Sequence, residues 1–411
     1  MAVPKLRFKA DDGCDYLELT VAKLDDLCEK IGDGLHGTPI YSQTGNYYFI
    51  NGNNLKNGKI IVSSDTPKVN DSVFEKNNKE LNDSTILMSI NGTIGKVAYY
   101  NNEKVMLGKS VAYFKVNYKC IKEYCYYLIQ TANVQCQFQK GLTGSTIKNL
   151  GLNTIKNTNV KVPCLPEQQK IAEFLSTIDT VIEKQKETVS AWEECKKGVM
   201  QKLFSQEVRF KADDGSDFSD WEEKKIGDIT LSHNAGVYIA KDNYGTGTNI
   251  VGVGDIYESD VINGKQYRLA PVDSDEYILD EGDLVYGESS LVPEGIARTV
   301  CIGAAGKGTA FAWHTRRYKV DRTIINPYFL TLQVNYAKRV RNHLMRVCTR
   351  NALTGMTTNE YFGTKVSVPC LAEQQKIADC LSSLDEVIEK QKATLAAWEE
   401  LKKGLLQQMF V

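Results

Sequence analysis

The residue types that most often carry catalysis or bind metal ions are scattered in this sequence. Its eleven cysteines include no C-x-x-C pair, which favours reduced thiols over a zinc site or a disulfide framework. Gly303–Thr309 reads G-A-A-G-K-G-T and lacks the spacing of a phosphate-binding G-x-x-x-x-G-K-[ST] loop. No two of the four histidines lie at metal-ligand spacing; they are His36, His233, His314 and His343. We therefore expect no catalytic centre, metal or cofactor in this chain.

Two polar, glycine-containing loops in each half of the chain have the residue types that contact nucleic acids. In the first half they are Ser89–Lys96 and Gly141–Lys148, and their counterparts in the second half are Tyr286–Ser290 and Leu353–Thr358. Amides, hydroxyls and ammonium groups bind bases and phosphates, although each loop alone is equally typical of a plain turn. The candidate DNA-binding residues are Asn91, Thr93, Lys96, Thr143, Ser145, Thr146, Lys148, Ser289, Ser290, Thr354, Thr357 and Thr358.

Charge is distributed unevenly, although the net charge is only −1. Residues 20–162 contain 17 lysines and 11 acidic residues, an excess that suits an anionic partner. No acidic residue occurs from Thr323 to Asn359, a stretch that contains a basic cluster. This cluster consists of Lys338, Arg339, Arg341, Arg346 and Arg350. We expect mainly phosphate contacts from it, and the alternative is a solvated helix face.

A long repeat supplies the elements that position these groups. Pro163–Phe204 returns 206 residues later as Pro369–Phe410, with 28 identities in 42 positions. Each copy has an apolar stripe at heptad spacing, which predicts a long helix with a coiled-coil seam. The first helix is predicted from Glu167 to Phe204, about 57 Å at ~1.5 Å per residue. Gln185 and Gln391 fall in the seam, either as register-setting polar residues or as solvated edge residues.

A second, shorter repeat predicts how the chain closes on itself. Leu6–Gly13 (L-R-F-K-A-D-D-G) is repeated at Val208–Gly215 (V-R-F-K-A-D-D-G), just after the first long helix. If like parts dock alike, the N-terminal copy lies beside the C-terminal end of the second helix. The short bridge between Phe204 and Arg209 favours antiparallel helices. The sequence therefore predicts a pseudo-two-fold circular repeat.

Between the repeats, two unlike segments share one order of elements. In the first, strand patterns such as Tyr47–Ile50 and Val111–Val116 precede a helical stretch at Lys122–Gln139 and a last strand at Asn159–Val162. The second has the same order and ends in a strand at Lys365–Val368. We predict an α+β protein in which two α/β domains are separated by two long antiparallel helices. The predicted segments are 1–162, 163–207, 208–368 and 369–411.

These residues resemble the specificity subunit of type I restriction-modification systems. The likeness rests on P-C-L-P-E-Q-Q-K-I-A-E-F-L-S at Pro163–Ser176 with its copy, on R-F-K-A-D-D-G, and on T-I-G-K and G-S-T-I-K in the first domain. The second domain lacks the last two motifs. The resemblance implies two target recognition domains, each reading half of a bipartite asymmetric site in double-stranded DNA, with the helices setting the gap.

The resemblance also implies partners. Two methylation subunits would dock on the helical spacer and carry S-adenosylmethionine, and motor-nuclease restriction subunits would join them. ATP and magnesium are likewise expected only in partner subunits, so this chain would be non-catalytic. The sequence has no signal peptide and no apolar run that could span a bilayer, so we expect a cytoplasmic protein without membrane contact.

Two other functions stay open at this stage. One is a coiled-coil scaffold whose end domains bind proteins or glycans. The other is an enzyme, a methyltransferase or nuclease acting alone. Asn326–Phe329 (N-P-Y-F) lacks the second proline of the N-P-P-[FY] motif of amino-methyltransferases, and its residue types fit a helix start.

Overall fold

The computed structural model describes residues 4–144, 148–264, 266–350 and 353–410. Its contacts divide the chain into two compact units. The first unit combines residues 1–187 with 393–411, and the second contains residues 188–392. Each unit therefore has one globular domain and a part of each of the two long helices.

The globular domain of the first unit is built on an antiparallel sheet in the order β2-β10-β7-β8. The six residues of β10 are all buried, because α2 and α3 and a second small sheet (β6-β3-β9) leave neither face to solvent. The described strands are β1 (Thr20–Lys23), β2 (Cys28–Asp33), β3 (Tyr47–Ile50), β4 (Leu55–Lys56), β5 (Lys59–Ile60), β6 (Lys68–Val69), β7 (Thr85–Ser89), β8 (Val97–Tyr99), β9 (Val105–Leu107), β10 (Val111–Val116), β11 (Leu142–Thr143), β12 (Asn149–Leu150) and β13 (Asn159–Val162). The helices are α1 (Asp71–Asn77), α2 (Lys122–Gln130), α3 (Ala132–Lys140), α4 (Leu152–Lys156) and the long α5 (Leu165–Phe204).

The globular domain of the second unit repeats this plan with one more strand in its main sheet, β15-β23-β19-β21-β17. Its described strands are β14 (Glu222–Lys225), β15 (Thr230–Ala235), β16 (Thr248–Val251), β17 (Val261–Ile262), β18 (Arg268–Ala270), β19 (Leu284–Gly287), β20 (Ser289–Ser290), β21 (Thr299–Ile302), β22 (Ala310–Phe311), β23 (Thr315–Val320), β24 (Thr349–Arg350), β25 (Thr354–Gly355) and β26 (Lys365–Val368). The helices are α6 (Pro327–Tyr336), α7 (Lys338–Val347), α8 (Thr358–Phe362) and the long α9 (Leu371–Met409). The predicted fold class is confirmed. The helical stretch predicted in each domain is two helices, broken at Thr131 and Ala337, where the backbone is extended.

The two long helices run antiparallel within each unit. In the first unit, Asp179 of α5 binds Lys402 of α9 at 2.6 Å, and Lys186 binds Glu399 at 3.4 Å. Residue numbers rise along one helix as they fall along the other, as antiparallel packing requires. The second unit has the same two contacts between residues shifted by 206 positions, at 2.6 and 3.0 Å, and these pairs are Asp385–Lys196 and Lys392–Glu193.

The predicted apolar stripe is the buried side of these helices. Its buried members are Ile171, Leu175, Ile178, Ile182, Val189 and Leu203 in α5, and Ile377, Leu381, Ile388 and Met409 in α9. Gln185 and Gln391 are half-buried. This exposure is intermediate between that of a buried register-setting residue and that of a solvated edge residue.

The predicted docking of the R-F-K-A-D-D-G segments is also confirmed. In the first unit, Arg7 donates to both carboxylate oxygens of Glu167, at 3.0 and 2.6 Å, and Glu167 is 1% exposed. Lys170 donates to Asp11 at 2.6 Å, and the amide of Leu6 donates to the carbonyl of Gln408 near the end of α9 at 3.1 Å. The second unit repeats these contacts in the pairs Arg209–Glu373, Lys376–Asp213 and Val208–Lys202. The N-terminal segment therefore completes the first unit as Val208–Gly215 completes the second.

We predict that Glu167→Gln lowers the free energy of unfolding by about 1–3 kcal/mol, because a buried acceptor of charged hydrogen bonds becomes neutral. Urea titration of the purified protein measures this change. Glu173→Gln is the matched control, since Glu173 is exposed on the same helix, and it should change stability by less than about 0.5 kcal/mol. Equal effects of the two substitutions would contradict a structural role for the Arg7–Glu167 pair.

A circular permutant opened after Gln206, with residues 411 and 1 joined by a short flexible linker, should fold. Gln206 is exposed at a turn with φ +60°, so cutting there interrupts neither long helix. We expect a circular-dichroism spectrum and a melting temperature close to those of the parent chain. Aggregation of the permutant with several linkers, when the uncut chain carrying the same linker residues at a terminus stays monomeric, would refute the circular arrangement.

Candidate nucleic-acid interface

The β7–β8 loop of the first domain is shaped from within by one serine. The Oγ of Ser89 donates to the carbonyl of Thr93 at 2.7 Å and accepts from the amide of Lys96 at 3.0 Å. Gly92 and Gly95 have φ of +69° and +87°, a conformation that glycine adopts without strain. Ser89 is fully buried. Its two hydrogen bonds therefore hold the loop in shape from inside, and the exposed side chains of the loop are not needed for this.

The second predicted loop of this domain docks against the first. The amide of Gly92 donates to the carbonyl of Lys148 at 3.1 Å, and the amide of Leu150 donates to that of Ile90 at 2.9 Å. Asn91 and Asn149 form an antiparallel bridge between the same segments. We name residues 89–96 with the described residues of 142–150 the first platform.

The first platform presents most of the residues singled out from the sequence. Thr93, Thr143 and Lys148 are exposed, whereas Asn91 and Lys96 are half-buried. The Oδ1 of Asn91 is buried without a hydrogen-bond partner in the described part of the chain. Ser145 and Thr146 lie outside the described residues.

The second domain builds an equivalent platform from three short strands. β25 pairs with β20 on one side and with β24 on the other. The amide of Met356 donates to the carbonyl of Glu288 at 2.8 Å, as Leu150 does to Ile90 in the first domain. We name residues 287–290 with the described residues of 349–356 the second platform.

The hydrogen-bond register corrects the way in which the sequence matched the two halves. Thr143 of β11 corresponds to Thr349 of β24, because each pairs with the equivalent residue of the next strand. The same offset of 206 residues makes Thr354 the equivalent of Lys148, so Leu353–Thr358 overlaps only the end of the loop Gly141–Lys148, and the predicted match of these two loops was wrong. That match followed local composition instead of the constant offset of the helix repeat.

Several predicted residues of the second domain have structural partners. Ser290 and Thr354 are buried at 7% and 6% exposure, and the Oγ of Ser290 accepts from the amide of Val292 at 3.3 Å. Thr357 caps α8 by accepting from the amide of Glu360 at 3.3 Å, and Thr358 begins that helix. Ser289 is half-buried on β20. Direct contact with a ligand is therefore easier for Ser289 than for the two buried residues.

The basic cluster at residues 338–350 divides into supporting and exposed groups. Arg341 donates to the carbonyls of Ile296 and Glu294, both at 2.8 Å, and burial lowers the pKa of its guanidinium. Arg339 is paired with Glu223, and Arg350 donates to the carbonyl of Met345 at 3.1 Å. These three guanidinium groups therefore have partners within the protein.

The other two members of the cluster are more available. Lys338 is exposed on the first turn of α7. Arg346 is exposed near the end of the helix, where its guanidinium lies 3.3 Å from the Nδ1 of His343. They are the members of the cluster best placed to bind phosphate.

Each platform is bordered by a tight turn that the sequence analysis did not single out. In the first domain the turn carries Lys109, and in the second it carries Trp313, which is 52% exposed. A tryptophan next to a histidine was the available indication in the sequence. Lys109 has no comparable local signal, and its equivalence to Trp313 follows only from the hydrogen bonds that the two domains share.

The segments that resembled catalytic motifs have ordinary structural roles. Asn326 caps α6, its Oδ1 accepting from the amides of Tyr328 and Phe329 at 2.9 and 3.1 Å, as the helix-start interpretation of N-P-Y-F predicted. Ala304–Gly306 forms a single 3₁₀ turn between β21 and β22. Within the described ranges no three histidine, cysteine or acidic residues are grouped to hold a metal ion, and no helix has the length and apolar character to cross a membrane.

Comparison with known proteins gives a consistent match. A family model described as the type I restriction modification DNA specificity domain matches the chain twice, at residues 17–190 and 218–397. Among similar proteins of Methanocaldococcus jannaschii, one named as the type I restriction enzyme MjaX specificity subunit is 25% identical over 330 residues, covering 76% of this chain and 73% of the relative. The MjaVIII specificity subunit is 23% identical over 303 residues, covering 68% of each protein.

A solved structure has the same fold. The S subunit of a type I restriction-modification system from M. genitalium superimposes with a TM-score of 0.56 at 15% identity. The likeness covers 100% of this chain and 99% of that chain. At this identity the comparison concerns the fold alone.

We predict different effects for two arginines of α7. Arg346→Ala should weaken binding to every DNA duplex alike, because an exposed guanidinium binds phosphates and not a particular base. It should also reduce the magnitude of the slope of log Kobs against log salt by about 1. Arg341→Ala should instead lower the free energy of unfolding by about 1–3 kcal/mol, because it removes two charged hydrogen bonds. Mobility-shift titrations at several salt concentrations and urea unfolding measure the two effects. A changed sequence preference in Arg346→Ala would show that this residue contacts bases.

Proposed function

The chain belongs to the type I restriction-modification DNA specificity family, and from this premise we propose that each of its two domains reads one half of a bipartite, asymmetric site in double-stranded DNA. The platforms are the reading surfaces in this proposal. The long helices α5 and α9 set the length of the unread gap between the half-sites.

One observation supports this proposal most directly: equivalent backbone positions of the two platforms carry different side chains. Asn91 corresponds to Ser289, and the exposed Lys148 corresponds to the buried Thr354, at the same hydrogen-bonded positions. Amides, hydroxyls and ammonium groups prefer different base edges and phosphates. Two similar frames that present different groups at equivalent positions are suited to two different half-sites.

The charges of the exposed residues support a nucleic-acid ligand. Lys148 of the first platform is exposed, and Lys338 and Arg346 are exposed on α7 of the second domain. Exposed cations of this kind release counterions from DNA and supply affinity that does not depend on sequence. The platforms would then add the sequence preference.

The proposal assigns the chemistry to other subunits. Two methylation subunits dock on α5 and α9 and bring S-adenosylmethionine, and restriction subunits bring ATP and magnesium. The chain itself is non-catalytic in this view and acts in the cytoplasm. The repeated surface of the two helices supports two equivalent docking sites, because residues 163–204 and 369–410 are largely identical.

The proposal is tested by expressing the chain with the methylation subunits of its own host and mapping the methylated adenines. We expect one bipartite sequence with a fixed gap. Exchanging residues 20–162 for the equivalent domain of another family member should change one half-site and leave the other unchanged. A change in both halves would contradict the division of labour between the domains.

A mobility-shift titration across salt tests the same proposal against the two alternatives. A specificity subunit binds DNA with an affinity that falls as salt rises, and methylation requires the partner subunits. A scaffold for proteins or glycans would show no salt-dependent affinity for DNA. An autonomous enzyme would modify or cut DNA when this chain is present alone.

We predict that inserting four residues in both α5 and α9 lengthens the recognised gap by about two base pairs and preserves both half-sites. Four residues add ~6 Å to each helix, and stacked base pairs are ~3.4 Å apart. Adenine mapping again measures the outcome. The matched control inserts four residues after Gln206, in the exposed turn between α5 and the second R-F-K-A-D-D-G segment, and it should leave the gap unchanged. Altered half-sites in the helix variant would show that the helices do more than set the distance.

A further inference from the structure

The two domains share a tight turn beside the platform, which we name the corner turn. In the first domain it spans Gly108–Val111 and is closed by a bond of 3.0 Å from the amide of Val111 to the carbonyl of Gly108. In the second domain it spans Ala312–Thr315 and is closed in the same way at 3.1 Å. Each turn connects the smaller sheet of its domain to the main sheet, through β9 and β10 or through β22 and β23.

Backbone hydrogen bonds attach the first corner turn to the first platform. The amide of Ile90 donates to the carbonyl of Ser110 at 2.9 Å, and the carbonyl of Ile90 accepts from Leu150 at 2.9 Å. Adjacent hydrogen-bonded segments are roughly 5 Å apart, so the turn lies within about 10 Å of the β12 segment. This width is similar to that of a major groove, about 12 Å.

The second corner turn has the same attachment. The amide of Glu288 donates to the carbonyl of His314 at 2.9 Å, and the carbonyl of Glu288 accepts from Met356 at 2.8 Å. A molecule that covers the platform in either domain is therefore within reach of the residues at the centre of the corner turn.

The central residues differ between the domains. In the second, Trp313 stacks on His314 with ring centres 4.1 Å apart, and it forms a T-shaped pair with Tyr238 with ring centres 5.4 Å apart. Trp313 is 52% exposed and Tyr238 is 68% exposed, so the pair presents a rigid apolar surface. His314 has φ +68°, which costs energy in a non-glycine residue and turns the chain sharply after Trp313.

In the first domain the same positions are cationic or polar. Lys109 takes the place of Trp313, and His36 takes the place of Tyr238, since Leu35 and Val237 form equivalent bridges to the turn. Lys109 and His36 are exposed and line a small depression together with Asn149 and Asn153. The Nε2 of His36 lies 2.6 Å from Asp33, which fixes the ring at the edge of this depression.

We propose that the corner turns are DNA contacts of unlike chemistry, an inference that rests on the proposed function. Trp313 and Tyr238 pack against sugars and thymine methyl groups of the second half-site, a contact that releases few ions. Lys109 binds a phosphate of the first half-site. The second half-site is then bound partly through an apolar contact, and the first is bound partly through an ion pair that weakens as salt rises.

Duplex DNA is the occupant that accounts for both turns. The turns are joined to the two platforms by equivalent hydrogen bonds, so one ligand covers turn and platform together. A phosphate attracts Lys109, and sugar and methyl groups suit Trp313, whereas an apolar protein surface would leave the lysine unmatched in the first domain. The distance of ~10 Å from the corner turn to the platform is also compatible with the width of the major groove, about 12 Å.

The test compares Lys109→Ala, Trp313→Ala and Tyr238→Ala in the complex of the chain with its methylation subunits. The probes are a labelled duplex with the mapped target sequence and two duplexes in which one half-site is scrambled. Tyr118→Ala and Lys119→Ala are the matched controls, because both residues are exposed and follow β10 at the end opposite the corner turn. Melting temperatures establish that each variant is folded.

We expect Trp313→Ala and Tyr238→Ala to weaken binding about tenfold at every salt concentration, with the salt slope unchanged. This loss should disappear when the second half-site is already scrambled, and Trp313→Phe should restore most of the affinity. Lys109→Ala should reduce the slope by about 1. The two controls should bind as the parent does.

Three results would overturn the inference. Variants that bind like their controls would exclude a DNA contact at the corner turns. Loss of methylation subunits from the Trp313→Ala complex, with DNA affinity intact once the complex is saturated, would show that the aromatic pair binds protein. A parent complex without salt-dependent DNA binding would refute the proposed function itself, and this inference with it.

Discussion

A buried Glu–Gln pair at the start of each long helix is the constraint on which the rest of the structure depends. Glu167 is 1% exposed, and a carboxylate so placed is costly unless charged donors reach it, as Arg7 does. Gln168 accepts from the amide of Ile121 at 2.9 Å and donates to the carbonyls of Lys119 and Pro163. The terminal segment, the loop before α2 and the start of α5 are thereby held in one arrangement. Glu373 and Gln374 do the same in the second unit, with Arg209 and the loop before α6.

Because this arrangement is repeated, differences between the domains are confined to particular regions. The offset of 206 residues holds from α2 to the end of α5, so α4 and α8, β13 and β26, and the pairs β11–β12 and β24–β25 coincide without a gap. Upstream of α2 the offset changes, and there the second domain gains β17 and a longer connection from β19 to β23. A constant frame with variable insertions lets contact residues change without altering how the domain docks on its helix.

Local patterns in the sequence were sufficient for much of this fold. The strands at Tyr47–Ile50 and Val111–Val116 were predicted to the residue, because apolar runs bounded by turn residues are typical of buried strands. β2, with the sequence C-E-K-I-G-D, was missed because it has no apolar alternation and owes its strand geometry to pairing with β10. The platforms were predicted as separate loops. Their union depends on hydrogen bonds between segments about 55 residues apart, as between Gly92 and Lys148, which no local pattern encodes.

The basic cluster shows most clearly where sequence reasoning ends. Five cations occur within thirteen residues, and composition treats them alike. Two of them have partners that are distant in the chain: Arg341 binds carbonyls near residue 295, and Arg339 binds a carboxylate at residue 223. A cation whose partners lie within the protein supports the fold, and one that faces solvent remains available to phosphate. Lys109 and Trp313 extend this argument, since their importance depends on a turn that only the three-dimensional equivalence of the domains brings into view. The groups available for recognition are therefore the exposed ones that do not support the repeated fold through partners within the protein.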